Sequence, residues 1–129
     1  MGAYEEARHL LTAALKDLRA LQGMSDPDVF ADEVFGFHAQ QAAEKALKAW
    51  LAVSDVEYPR THDLSLLLTV LEAQGQDVVP YSDLVELNPY SVQYRYAAFE
   101  DLGSPLDRCA VQKLVHGLIA AVSDSVDVR

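Results

Sequence analysis

A chain of 129 residues that is 50% hydrophobic and 23% charged has an ordinary composition for a globular protein, so residues 1–129 are expected to fold as a single domain. Twenty acidic residues against ten scattered basic ones leave a formal charge of −10, which argues against a duplex-binding groove and makes RNA an unexpected partner for this chain alone. No apolar run approaches the roughly 18 residues of a membrane span, and Glu5 and Glu6 stand where a secretory signal would carry basic residues, so neither membrane contact nor export is expected.

The first predicted helix runs from about Tyr4 to Gln22 and is ended by Gly23. Apolar residues recur along it at helical spacing, so one stripe is expected to face the core. That stripe consists of Ala7, Leu11, Ala14, Leu18 and Leu21.

A second helix is expected to start near Pro27, because Ser25 and Asp26 offer a capping oxygen and proline is tolerated at the first helical position. It should continue to about Val53, since Tyr58 precedes a proline and is pushed out of helical geometry. Such a helix of roughly 27 residues would span about 40 Å. Its buried residues are expected to include Phe30, Val34 and Phe37.

Residues 37–51 of this helix consist almost wholly of strong helix formers, with no Gly, Pro or β-branched residue. Their polar side chains recur three or four positions apart, so they share one narrow stripe, with Glu44 beside it. We call this stripe the polar ridge; it consists of His38, Gln41, Lys45 and Lys48. Apolar residues cover the other faces, which predicts a central helix that directs one polar ridge at a ligand or partner.

A third helix should begin at Thr61 or Asp63, either of which can cap it, and end at Gly75. Its apolar face is expected to contain Leu64, Leu67, Leu68 and Leu71. A shorter fourth helix is predicted over about residues 81–87. Residues 90–99 fit either a helix or a turn followed by a short helix.

The last helix should start at Pro105, with Ser104 as its cap and Asp107 in the capping-box position, and reach about Ser125. Its apolar face is expected to contain Val111, Leu114, Val115, Leu118 and Val122. Cys109, the only cysteine, lies in this segment, where it is expected to pack as an inert side chain. A lone cysteine forms no internal disulfide, so a reducing cytoplasm is the expected compartment. No strand or repeat is indicated, and the predicted fold class is an all-α bundle.

Three segments together resemble the HEPN domain (higher eukaryotes and prokaryotes nucleotide-binding). They are residues 38–48, residues 61–64 and the pair Arg95-Tyr96, and the similarity spans nearly the whole chain. The resemblance implies an up-and-down bundle of about five helices, related to the helical domain of kanamycin nucleotidyltransferases and usually homodimeric. It also implies a partner, because family members are often encoded beside a small nucleotidyltransferase as a two-component, toxin–antitoxin-like pair.

The sequence departs from the ribonuclease motif of this family, which is an arginine, four to six residues and then a histidine. No histidine falls in that window after Arg8, Arg19, Arg60 or Arg95. Arg108 is followed by His116 with seven residues between them, and one extra residue rotates a helical side chain by about 100°. Ala97 follows Tyr96 where relatives usually carry proline. No catalytic residue is therefore assigned.

The candidate ligand site is a groove for a nucleotide or another anion, formed by Lys45, Lys48, Arg60, His62 and Arg95. Two lysines one turn apart can bracket a phosphate, and a helix N-terminus beside His62 can hold an anion. In the structural alternative, the lysines pair with Glu44 and other carboxylates, His62 belongs to the start of the third helix, and Arg95 pairs with a carboxylate. No metal-ligand spacing or Gly-rich phosphate loop is present, so neither a metal nor a cofactor is expected.

These observations predict a homodimeric HEPN-type binding and interaction module, with a nucleotide as candidate ligand and a small nucleotidyltransferase as candidate partner. An independent reason for a dimer is surplus apolar surface, expected at residues 64–71 and 90–99. Two alternatives stay open: a metal-independent ribonuclease acting as a toxin, and a structural accessory subunit that binds no nucleotide.

Overall fold

The computed structural model describes residues 2–91 and 106–127. Four α-helices are present in this part of the chain: Ala3–Gly23 (α1), Asp32–Val53 (α2), Leu64–Ala73 (α3) and Arg108–Asp127 (α4). A 3₁₀ segment, Val79–Tyr90, lies between α3 and α4. The expected all-α bundle of about five helices is confirmed. Residues 92–105, which include Arg95, Tyr96, Ser104 and Pro105, lie outside the described residues.

Helix α2 lies at the centre of the bundle, and the other elements surround it. It packs against α1, α3, α4 and the 3₁₀ segment, and these neighbours contact one another in the order α1, α4, 3₁₀ segment, α3. The described parts of α1 and α3 have no Cα atoms within 8 Å of each other. The ring around α2 is therefore open between α1 and α3.

Helix α1 has the buried face that its sequence predicts. Its buried residues are Ala7, Leu11, Ala14, Leu18 and Leu21. They share one core with the alanine-rich side of α2, which includes Ala39, Ala42, Ala43, Ala46 and Ala49. Small side chains let two helices approach closely, and the pair α1–α2 makes the most extensive contact among the described elements.

The predicted start of α2 at Pro27 is wrong, because Asp26 begins a separate turn. Its side-chain Oδ1 accepts a hydrogen bond from the Asp28 backbone N–H at 2.9 Å, and its carbonyl accepts one from Phe30 at 2.9 Å. Ala31 is then extended, with φ −62° and ψ 154°, and separates this turn from the helix.

The later start also changes which side chains of α2 enter the core. Phe35 is fully buried, whereas Val34 is 43% exposed and Phe30 and Phe37 are half-buried. The expectation that Phe30, Val34 and Phe37 are core residues is therefore wrong. At α2's N-terminal end, Gly36 packs against the Tyr90 ring so closely that a Cβ atom there would overlap with it. This contact fixes the end of the 3₁₀ segment on α2.

Helix α3 is capped by Asp63 and ends before Gly75, which adopts φ +84°. All four predicted core leucines, Leu64, Leu67, Leu68 and Leu71, are buried. The surplus apolar surface that the sequence suggests for residues 64–71 is thus used within the bundle, with Leu66 alone left 40% exposed.

Helix α4 begins at Arg108 instead of Pro105, and the Asp107 carboxylate accepts a hydrogen bond from the Ala110 backbone N–H at 3.1 Å. Its buried residues are Val115, Leu118, Ile119, Val122 and Val126. Val111 and Leu114 are only half-buried, and Cys109 is exposed instead of packed, because the buried face lies further along the helix than predicted.

Candidate functional site

Asp17 of α1 holds two residues of the polar ridge. Its Oδ1 lies 3.0 Å from His38 Nδ1, and its Oδ2 lies 2.7 Å from Lys45 Nζ. The Asp17 side chain is only 13% exposed, so these two contacts replace most of the water around the carboxylate. One carboxylate thus joins an imidazole and an ammonium across the α1–α2 boundary.

Glu44 makes an equivalent group on the α3 side of the ridge. Its Oε1 lies 2.8 Å from His62 Nδ1, and its Oε2 lies 3.0 Å from Lys48 Nζ. An ionised carboxylate only accepts hydrogen bonds, so the imidazole nitrogen that faces it is a donor, and Nε2 is left as the ring's acceptor. With a neutral imidazole, each carboxylate–lysine–histidine group carries no net charge.

Two glutamines complete the surroundings of Glu44. Gln40 is fully buried, and its Nε2 donates to Glu44 Oε1 at 3.1 Å and to the His62 carbonyl at 3.0 Å. Gln41 Nε2 donates to Gln40 Oε1 at 2.8 Å. The chain before α3 is therefore fixed to α2 by both the backbone and the side chain of His62.

The environment of Glu44 favours its ionised form. Burial, the largest influence, would raise the pKa of this carboxyl, but hydrogen bonds from His62, Lys48 and Gln40 together outweigh burial and lower the pKa below its ordinary value. The carboxylate is thus a fixed negative charge at neutral pH. It neutralises Lys48, whose side chain is less exposed than that of Lys45.

The structure brings together only part of the predicted ligand site. Lys48 and His62 meet at Glu44, whereas Lys45 is directed to Asp17 and lines a different groove. Arg60 is exposed and lines a third groove, of about 520 Å³, together with three carboxylates. Those carboxylates belong to Glu6, Asp55 and Glu57. Arg95 lies outside the described residues, so the structure has no position for it.

Three side chains accept hydrogen bonds from backbone N–H groups at the start of α3, where the sequence predicted a single capping residue. Asp63 Oδ1 accepts from the Ser65 backbone N–H at 2.9 Å, and Thr61 Oγ1 accepts from the Asp63 N–H at 3.0 Å. Asn88 Oδ1 accepts from the Leu64 N–H at 2.9 Å. The start of α3 is thus satisfied by Thr61, Asp63 and Asn88, while the ring of His62, which the sequence assigned to this helix start, lies against Glu44.

Tyr58 is a further member of this site that the sequence analysis missed. Its hydroxyl donates to Glu6 Oε1 at 2.6 Å, and Lys48 Nζ lies 5.6 Å from the centre of its ring. The hydrogen bond to Glu6, together with burial, raises the pKa of the Tyr58 hydroxyl to about 12. Sequence analysis used Tyr58 only as the residue before a proline, and nothing in its local pattern indicates a contact with α1.

Arg108 is held by hydrogen bonds within the bundle and does not form a pair with His116. Its guanidinium donates to the carbonyls of Met24 and Phe30 and to Asp32 Oδ1, the last at 2.8 Å, and lies 5.0 Å from the Phe35 ring centre. His116 is exposed eight positions further along α4, a rise of about 12 Å. Arg108 is therefore engaged by the segment between α1 and α2 and by Asp32.

The described residues contain neither a metal-binding cluster nor a membrane-spanning helix. No group of three or more His, Cys, Asp and Glu side chains within residues 2–91 and 106–127 is arranged to hold a metal ion. In the same part of the chain, no helix combines the length and apolar character needed to cross a bilayer.

Comparison with known proteins agrees with the resemblance seen in the sequence. The family described as the HEPN domain matches residues 7–122, which include all four α-helices except the ends of α1 and α4. Comparison with curated proteins and with solved structures found no match. The matched region covers most of the 129 residues, and the chain belongs to the HEPN domain family.

Proposed function

We propose that this chain is a homodimeric HEPN interaction module that works beside a small nucleotidyltransferase in a two-component, toxin–antitoxin-like system. The proposal is carried by the observation that the cations considered above for phosphate binding or catalysis already bind other groups of the chain. Lys45 and Lys48 are paired with carboxylates, and Arg108 binds backbone carbonyls and Asp32. These groups stabilise a surface instead of offering charge to a substrate. The nucleotidyltransferase partner and the toxin–antitoxin role are supported by family membership alone.

The experiment that tests the interaction role combines mass measurement with RNA incubation. We expect light scattering to give the mass of a dimer at micromolar concentration and above, and we expect single-stranded and structured RNA to stay intact with and without divalent metal. A monomer mass would contradict the dimer. RNA cleavage that disappears in Arg108→Ala or His116→Ala, with folding retained, would favour the ribonuclease alternative.

A second candidate function, nucleotide binding, is favoured by the meeting of Lys48 and His62 at the edge of α2. The His62 side chain is 60% exposed, so its Nε2, which becomes a donor when the ring is protonated, can contact a phosphate oxygen while Nδ1 stays on Glu44. Since Lys48 is shared with Glu44, we expect weak binding. Lys45 and Arg60, two other proposed contacts, would have to act from neighbouring grooves, and Arg95 is the remaining proposed contact.

Titration calorimetry with ATP, AMP and GTP tests this candidate. We expect His62→Gln to weaken nucleotide binding about tenfold or more, the loss of one charge-assisted contact, and Lys113→Ala, an exposed cation on α4, to leave it unchanged. No heat at millimolar nucleotide would support the structural accessory subunit that binds none. Equal affinity in wild type and His62→Gln would remove His62 from the proposed site.

A further inference from the structure

The α1–α2 face carries two parallel rows of half-buried residues. In α1 these are Leu10, Ala13, Asp17 and Ala20, and in α2 they are the four residues of the polar ridge. Both rows advance by three, four and three positions, which is the spacing by which one helix face follows a partner helix. Asp17 links the two rows through His38 and Lys45, so the rows lie side by side.

A groove of about 440 Å³ lies along these rows. It is lined by Glu6, His9, Leu10 and Ala13 of α1 and by Lys45 of α2. The ring of helices around α2 is open on this side, because α1 and α3 do not approach each other within the described residues. An additional helix can therefore lie against α1 and α2 without displacing any of the described elements.

The charge of the chain is unevenly distributed, and this favours the α1–α2 face as the place where a second copy binds. The residues of α1 and α2 include six acidic and five basic side chains, a formal charge of −1, so the remainder of the chain carries −9 of the total of −10. A second groove, of about 800 Å³ between the 3₁₀ segment and α4, has Asp83, Glu86 and Asp107 against Lys113. Two copies that met there would bring together three acidic side chains and one lysine of each copy, whereas the groove on the α1–α2 face has one acidic side chain, Glu6, with Lys45.

We propose that the α1–α2 face is the surface through which two copies of this chain associate, by packing their α1–α2 pairs into a four-helix bundle. This inference rests on the proposed homodimer and specifies its interface. Helix α1 is about 31 Å long and two packed helices are about 20 Å across, so the face offers roughly 600 Å² per copy. That area is close to the roughly 800 Å² per partner of a stable protein interface. In this arrangement the two-fold axis crosses the middle of α1, so α1 packs antiparallel against its own copy.

Ala13 is the position to test, because it is the midpoint of α1, half-buried, and part of the groove. Ala13→Glu adds bulk and negative charge at the centre of the face and is expected to weaken the dimer at least tenfold in sedimentation equilibrium. Ala120→Glu is the matched control, since it adds the same side chain to an exposed position of α4 and should leave the dimer intact. Circular dichroism checks that both variants keep their helices.

A cross-linking variant keeps the proposal testable if Ala13→Glu does not fold. In a Cys109→Ser background, Ala13→Cys is expected to form an intermolecular disulfide on mild oxidation, and Ala120→Cys is not. A dimer that persists in Ala13→Glu, or a cross-link that forms through position 120 and not through position 13, would overturn this interface. Neither result would contradict the dimer itself. A wild-type monomer would overturn both.

Discussion

Arg108→Ala is expected to lower the free energy of unfolding by about 3 kcal/mol, one of the two largest effects we predict for a single substitution. The Arg108 side chain is 10% exposed and donates to two backbone carbonyls and to Asp32. Removing it leaves the Met24 and Phe30 carbonyls without this donor and, among the described residues, leaves Asp32 with the Leu106 N–H at 3.1 Å. Breaking a largely buried ion pair by removing one partner costs about 3–5 kcal/mol, and the 30% exposure of Asp32 places the effect at the lower end.

Urea denaturation at pH 7 measures this effect, with two controls on the same helix. Arg108→Lys keeps the charge but lacks the planar fork that reaches several acceptors, so an intermediate loss is expected. His116→Ala changes an exposed residue and should alter the free energy of unfolding by less than about 0.5 kcal/mol. A loss below about 1 kcal/mol for Arg108→Ala would show that Arg108 is not the structural residue inferred here, and would reopen its pairing with His116.

The sequence predicted best those elements whose structure depends on local pattern. The face of α1 follows from the spacing of Ala7, Leu11 and Ala14, and the end of α3 follows from Gly75, the residue type that tolerates a positive φ. The predicted start of α2 was wrong because the pair Asp26-Pro27 suits both a helix start and an isolated turn. Only the extended conformation of Ala31 decides between them, and alanine gives no signal for it.

The candidate site was predicted in part for the same physical reason. The pair Glu44–Lys48 lies at i and i+4 on one helix, so the sequence could suggest it. Asp17 reaches His38 and Lys45 from positions 21 and 28 residues away, and Arg108 reaches carbonyls 78 and 84 residues away. Such contacts depend on how helices pack, and no local spacing encodes them. The polar ridge was therefore recognised, but its carboxylate partner on α1 was not.

The other large effect concerns Glu44, where Glu44→Gln is expected to lower the free energy of unfolding at pH 7 by about 3 kcal/mol. The substitution keeps the shape but removes the negative charge that holds Lys48 and His62, and each hydrogen bond to a charged group contributes about 1.5–3 kcal/mol. The 60% exposure of the His62 side chain reduces its share, whereas Lys48 is only 13% exposed. The amide NH₂ group that replaces one carboxylate oxygen also faces either Lys48 or the pair His62 and Gln40, all of which donate to Glu44, and this adds to the loss.

The effect of Glu44→Gln should depend on pH in one direction. Because the folded-state pKa of Glu44 is lowered, its stabilising contribution is fully present above the unfolded value of about 4.5 and is lost as the pH falls through the lower folded value. The difference in the free energy of unfolding between wild type and Glu44→Gln should therefore shrink as the pH falls below about 4.5. Glu72→Gln, at an exposed position of α3, is the matched control and should change stability by less than about 0.5 kcal/mol at pH 7. Urea titrations of the three proteins at several pH values between 3.5 and 7 measure this, and a Glu44→Gln difference that grows below pH 4.5 would contradict an ionised Glu44 carboxylate that accepts hydrogen bonds from His62, Lys48 and Gln40.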